Sequence, residues 1–134
     1  MLIALYLVLL HFLGDFVCQS DWMAINKSKR WDALTAHVAI YTAIILLGTG
    51  FNLSFALITF GAHFATDAVT SRISRAWFPF VQLPGRAASG KALYVDYEGV
   101  GLRSRHNFFT MIGFDQVLHY AQLFLTAYWL LGVK

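Results

Sequence analysis

Three pairs of residues in this chain share one chemistry and one spacing: His11 with Asp15, His63 with Asp67, and Asp115 with His119, the last in reversed order. Four residues on an α-helix turn through about 400°, so the two members of each pair project from one face, one turn apart. Imidazole and carboxylate are the usual ligands of zinc, iron and manganese. Helix bundles build metal sites from such side chains pointing inward on facing helices. With His37 the set His11, Asp15, His37, His63, Asp67, Asp115 and His119 exceeds the four ligands of one tetrahedral zinc. The expectation is one or two divalent transition-metal ions, zinc foremost, with the surplus residues orienting the ligating histidines. Asp15 is expected as a further ligand or general base, and Gln19, one turn on, as an orienting or substrate-binding group. One His/Asp pair alone is more often a structural contact. Three like pairs plus His37 would be a costly network to satisfy without an ion.

The elements that must position these residues follow from composition. Of 134 residues, 58% are hydrophobic and only 13% charged, too little polar surface to cover a water-soluble domain. Four apolar stretches carry the excess, each near the length that crosses about 30 Å of hydrocarbon: Leu2 to Val17, Ala33 to Gly48, Phe51 to Ala68 and Phe108 to Val133. In lipid, runs of this length without alternation are helices. The predicted fold is an all-α integral membrane four-helix up-down bundle, a single transmembrane domain over residues 1–134. Its helices fall at about 2–18, 33–48, 51–76 and 107–132, with a long loop at 79–106. No Lys or Arg precedes Leu2 and no small-residue cleavage site follows, so the first stretch is expected to remain as a span rather than a signal peptide.

Nine of the ten basic residues fall between the first and second stretches or between the third and fourth. The positive-inside rule then places both long loops in the cytoplasm and both termini outside, in a multi-pass protein of the inner membrane. The basic excess thus reports orientation, and no nucleic-acid partner is expected. In that topology every Asp of the three pairs lies nearer the cytoplasm than its His. All three pairs and His37 share a band roughly 5 to 20 Å inside the cytoplasmic boundary. The outer halves of the helices offer little polar lining.

Around this cavity, Arg72, Arg75, Arg103 and Arg105 are expected to meet the phosphate of an amphiphilic substrate. Ser20 to Asp32 suits a segment lying on the anionic inner leaflet. His106 belongs to the basic run at the mouth of the fourth helix. Gly85 to Ala92 imitates a phosphate-binding loop but has Ala92 where a hydroxyl must hold magnesium. Cys18 is the single cysteine and forms no intrachain disulfide. Gly48, Gly61 and Gly113 would let helices pack closely in a homodimer.

The run from His11 through Gly14, Asp15, Phe16 and Gln19 to Asp21, Trp22 and Met23, followed by Lys27, His37, His63 with Asp67, and Asp115, Gln116 with His119, resembles a family of small bacterial and phage integral membrane proteins of unknown function. That family is in turn distantly similar to proteins named membrane-bound metal-dependent hydrolases. The resemblance implies a metal-assisted hydrolase; the depth of the cavity and the loop charges add the expectation of an amphiphilic or lipid-linked substrate reached from the cytoplasmic side. Two other readings stay open: a conduit for metal ions or protons, and a phage or mobile-element accessory protein with a structural metal site.

Overall fold

The computed structural model describes residues 2–77 and 102–132, with the side chains at 75–77, 102–108 and 131 outside that description. Among the described residues the chain is helical throughout and contains no strand. Helix α1 (Leu2–Phe12) continues without a break into one π-helical turn (Leu13–Val17), closed by Cys18 N–H donating to the Leu13 carbonyl at 2.9 Å. A short α2 (Asp21–Asn26) follows, begun by Ser20, whose hydroxyl accepts from the Met23 N–H. Then come α3 (Trp31–Gly48), α4 (Leu53–Trp77) and α5 (Leu102–Leu131).

Local chemistry explains the boundaries. After α3, Gly50 and Phe51 both take positive φ, 66° and 65°, and reverse the chain within a few residues. The Asn52 side chain then accepts from the Phe55 N–H at 2.9 Å and starts α4. The expected helices are present with shifted ends. Leu102 opens α5 five residues before the expected 107, so the Arg103 to His106 run is helical rather than loop. Arg, Ser and His tolerate a helix, and no Gly or Pro interrupts 102–112. The expected 79–106 loop otherwise falls on residues 78–101, outside the described residues, as do Lys91 and the Gly85 to Ala92 segment.

By length and composition, α3 and the Leu53–Ser74 portion of α4 could each cross a membrane, while Leu2–Val17 is apolar but shorter. The fourth expected span does not meet the same test, because Asp115, Gln116, His119 and Gln122 interrupt the apolar run of α5.

The interior divides along the bundle axis. At one end Leu7, Leu10, Tyr41, Ile45, Phe55, Leu123 and Ala127 form a closed apolar cluster. Toward the other end the buried residues include a polar cluster, His11, Asp15, His37, His63, Asp67, Thr70 and His119, beside apolar Ala33, Leu34 and Val38. The outer surface is greasy instead, with Leu2, Leu5, Leu53, Leu57, Phe109, Val117, Leu125 and Trp129 exposed. Monomeric soluble domains do not surround a polar interior with apolar surface on this scale.

Two glycines set helix spacing. A Cβ on Gly14 would lie 2.7 Å from Tyr41 Cδ2 and 3.2 Å from Tyr41 Cα, so the π turn reaches α3 only because this position has no side chain. A Cβ on Gly48 would collide with the Leu10 side chain. Gly48 is therefore used within the chain, whereas Gly61 and Gly113 face open space.

Candidate metal centre

The close approach at Gly14 has a direct result. Asp15, the next residue, is carried against α3, where its Oδ1 lies 3.0 Å from His37 Nε2. From α4, one turn apart, His63 and Asp67 enter the same space. Five distances join these four donors: Asp15 Oδ1 to His37 Nε2 3.0 Å and to His63 Nε2 3.5 Å, His37 Nε2 to His63 Nε2 3.3 Å, and Asp67 Oδ2 to His37 Nε2 3.2 Å and to His63 Nε2 3.7 Å. A tetrahedral ion with bonds of about 2.0–2.1 Å requires donors about 3.3 Å apart. The observed edges bracket that value.

Orientation agrees with spacing. Asp15 Oδ1 has no hydrogen-bond partner among the described residues although two imidazole nitrogens stand within 3.5 Å. His37 Nε2 and His63 Nε2 share a hydrogen bond at 3.3 Å, and one donor atom from each of the four residues lies within 4.8 Å of the others, a spacing in which lone pairs could also share a cation. All four residues are buried. The donor set therefore fits a divalent ion of the zinc type.

A second group adjoins the first through Asp67. One donor atom each from Asp67, Asp115 and His119 lie within 4.8 Å of one another, and Asp67 Oδ1 is 3.6 Å from His119 Nε2. His119 Nδ1 donates to the Asp115 carbonyl at 2.8 Å, which leaves the Nε2 lone pair free, buried and unpartnered. Asp115 is held in turn by the Thr70 hydroxyl and by Gln116 Nε2 at 3.2 Å.

The remaining sequence candidates fall in different places. His11 is not among the converging donors. Gln116 Oε1 accepts from its Nε2 at 2.8 Å, so its Nδ1 is the acceptor for the Tyr41 hydroxyl at 3.1 Å. Both His11 nitrogens are engaged by neighbouring side chains in this structure. Gln19 points a buried Oε1 with no partner among the described residues. Arg72 lays its guanidinium 3.8 Å from the Trp31 ring centre and donates to the Ala68 carbonyl at 2.9 Å. The side chains of Arg75, Arg103 and Arg105 lie outside the described residues.

Three residues matter more than their sequence suggests. Gln116 donates one amide hydrogen to Asp15 Oδ2 at 2.9 Å and another to Asp115 while accepting from His11, so α5 clamps α1 with a single side chain. Tyr41 stacks on His63 with ring centres 4.0 Å apart and holds His11. Lys27, from the connector after α2, donates to Asp67 Oδ2 at 3.0 Å. Burial alone would lower the Lys27 ammonium, but the Asp67 and Asp15 carboxylates and the hydrogen bond to Asp67 outweigh it and raise it above the ordinary lysine range. The carboxylates thus have a basic partner that the apolar stretches themselves do not contain. Asp15, Asp67 and Asp115 against Lys27 leave two negative charges, the complement of one divalent cation.

A family model described as protein of unknown function (DUF3307) matches residues 3–133. The chain belongs to that family. Comparison with curated proteins and with solved structures gave no match.

Proposed function

We propose that this chain is a multi-pass protein of the inner membrane, built as four spans with both termini outside, whose buried His/Asp centre holds a divalent ion and hydrolyses an amphiphilic or lipid-linked substrate from the cytoplasmic side. The observation that carries the reading is the buried set of Asp15 Oδ1, His37 Nε2, His63 Nε2 and Asp67 Oδ2, with five of its six edges at 3.0–3.7 Å and carboxylate charge left over. Apolar residues on the outside and charge on the inside support the membrane assignment. The positive-inside rule supplies the orientation.

A bound zinc-type ion would supply Lewis acidity, and a more acidic water at neutral pH wherever one of its coordination positions is left to solvent. The chain's own residues do the rest. Gln116 and Tyr41 fix Asp15, His11 and His63 so that no rotamer search is needed when the ion arrives. Lys27, with 17% of its side chain exposed at the loop end of the bundle, presents an ammonium to an incoming phosphoryl or carboxyl group. Hydrolysis adds water across the scissile bond: the water oxygen joins phosphorus or acyl carbon as the bond to the leaving oxygen breaks, one water proton passes to a site carboxylate, and that carboxylate hands it on to the leaving oxygen. Gln19, with its free Oε1, is placed to accept from a substrate hydroxyl. A conduit is disfavoured by the closed apolar cluster at the far end of the bundle.

Elemental analysis of detergent-purified protein tests the metal. The wild type is expected to retain zinc or another transition metal, and His63→Ala to lose it. A metal-free wild type after purification without chelators overturns the metal reading. Release of phosphate or fatty acid from amphiphilic esters, lost with chelator and restored with metal, tests the hydrolase. Full metal occupancy without turnover on either ester class would leave a structural centre in its place.

A further inference from the structure

Asp67 turns its two oxygens toward different partners. Oδ2 belongs to the tetrahedral set, while Oδ1 faces His119 Nε2 at 3.6 Å. That nitrogen belongs to a fully buried side chain, has no hydrogen-bond partner among the described residues, and is kept in its lone-pair form by the Nδ1 contact to the Asp115 carbonyl. An unpartnered buried acceptor 3.6 Å from the Asp67 carboxylate, on a ring whose Nδ1 lies 3.4 Å from Asp115 Oδ2, has a desolvation cost that a cation would offset. The 3.6 Å separation is again close to the edge of a metal tetrahedron.

We propose that Asp67, Asp115 and His119 hold a second divalent ion, and that the Asp67 carboxylate bridges it to the ion in the tetrahedral set. This rests on the metal reading above and goes beyond it, because the two sites differ in kind. The first has four protein donors and is closed, as structural sites are. The second has three, leaving a coordination position for a water or substrate oxygen, as catalytic sites do.

Charge then names the class of ligand. Three carboxylates and the Lys27 ammonium balance a single divalent ion, so the second ion brings two positive charges that the protein does not neutralise. A buried centre does not hold such an excess alone. The second ion binds together with an anion, and the ligand class is a phosphoryl or carboxylate group delivered from the Lys27 side.

Manganese titration of metal-stripped full-length protein in detergent, followed by equilibrium dialysis and electron paramagnetic resonance, tests this with inorganic phosphate as the anion. The expected result is one equivalent without phosphate and two with millimolar phosphate, the second giving a spin-coupled signal from two ions on one bridge. Asp115→Asn and His119→Gln should each keep the first equivalent and abolish the second, and retention of the first also reports that the variant folds. One equivalent in the wild type with phosphate present overturns the second site while leaving the first. Two uncoupled ions, or a second equivalent that survives both substitutions, overturn the bridge. No bound manganese, in protein that also takes up no zinc, overturns the metal reading itself.

Discussion

Gly14→Ala adds one methyl group, and the coordinates say where it goes: 2.7 Å from Tyr41 Cδ2 and 3.2 Å from Tyr41 Cα. Carbon atoms in contact settle at about 3.5–4.0 Å, so about 0.5–1 Å of relief is needed. Rotating the Tyr41 ring relieves only the first contact, because the second is to backbone. It would also disturb the Tyr41 hydroxyl against His11 and the ring against His63. The remaining route separates the π turn from α3, which withdraws Asp15 from His37. Metal sites hold their distances within about 0.2 Å, so a shift of this size is felt at the ion. Overpacking costs about 1–3 kcal/mol. If that cost falls on the bound state, metal affinity drops about five- to a hundredfold. Competition against a chromophoric chelator measures it on purified protein. Gly61→Ala is the control, since a Cβ there meets nothing within 4 Å, and its affinity should equal the wild type's. Gly14→Ala binding within about twofold of the wild type would refute the argument that this glycine sets the ligand geometry.

Other outcomes follow from the same contacts. Lys27→Met removes the ammonium from Asp67 and should destabilise metal-free protein by about 1–3 kcal/mol, less than a fully buried pair because Lys27 is partly exposed. Thermal melts with and without chelator should show a smaller loss in the loaded protein. Gln116→Ala breaks the clamp among His11, Asp15 and Asp115 and should weaken metal binding about tenfold or more, read by the same chelator competition. A reporter enzyme that folds only outside the cytoplasm should be active when fused after Lys134, and inactive when fused into the connector after Asn26. The opposite pattern would invert the proposed topology.

The His/Asp cluster was legible because its spacing is a helix property: pairs four apart stay on one face whatever the helices pack against. The reversed order of Asp115 and His119 matches a helix running the other way, and the structure brings both beside Asp67. Partners from irregular or distant segments were not. Lys27 lies 40 residues from Asp67 and on a connector, where no periodicity predicts which way a side chain turns. His11 carries the same signature as His63, yet Gln116 and Tyr41 engage both of its nitrogens. That distinction depends on which helix faces which. The π turn is equally silent, its only trace being a glycine whose purpose appears once Tyr41 lies against it. The early start of α5 shows the limit of hydropathy: Arg103 to His106 is too polar to read as a span but is competent to form a helix.

The apolar end of the bundle bears on how a cell could tolerate such a centre. Ionisable groups and the water that accompanies them, set within a bilayer, invite protons to run down their gradient. Leu7, Leu10, Ile45, Phe55 and Leu123 pack on the far side of Tyr41, where the buried polar groups thin to side chains such as Thr59 and Thr126. In a membrane this apolar packing would act as an insulator, making the polar cavity a well with a floor instead of a short circuit. On the hydrolase reading, the same floor would leave substrate and product one entrance.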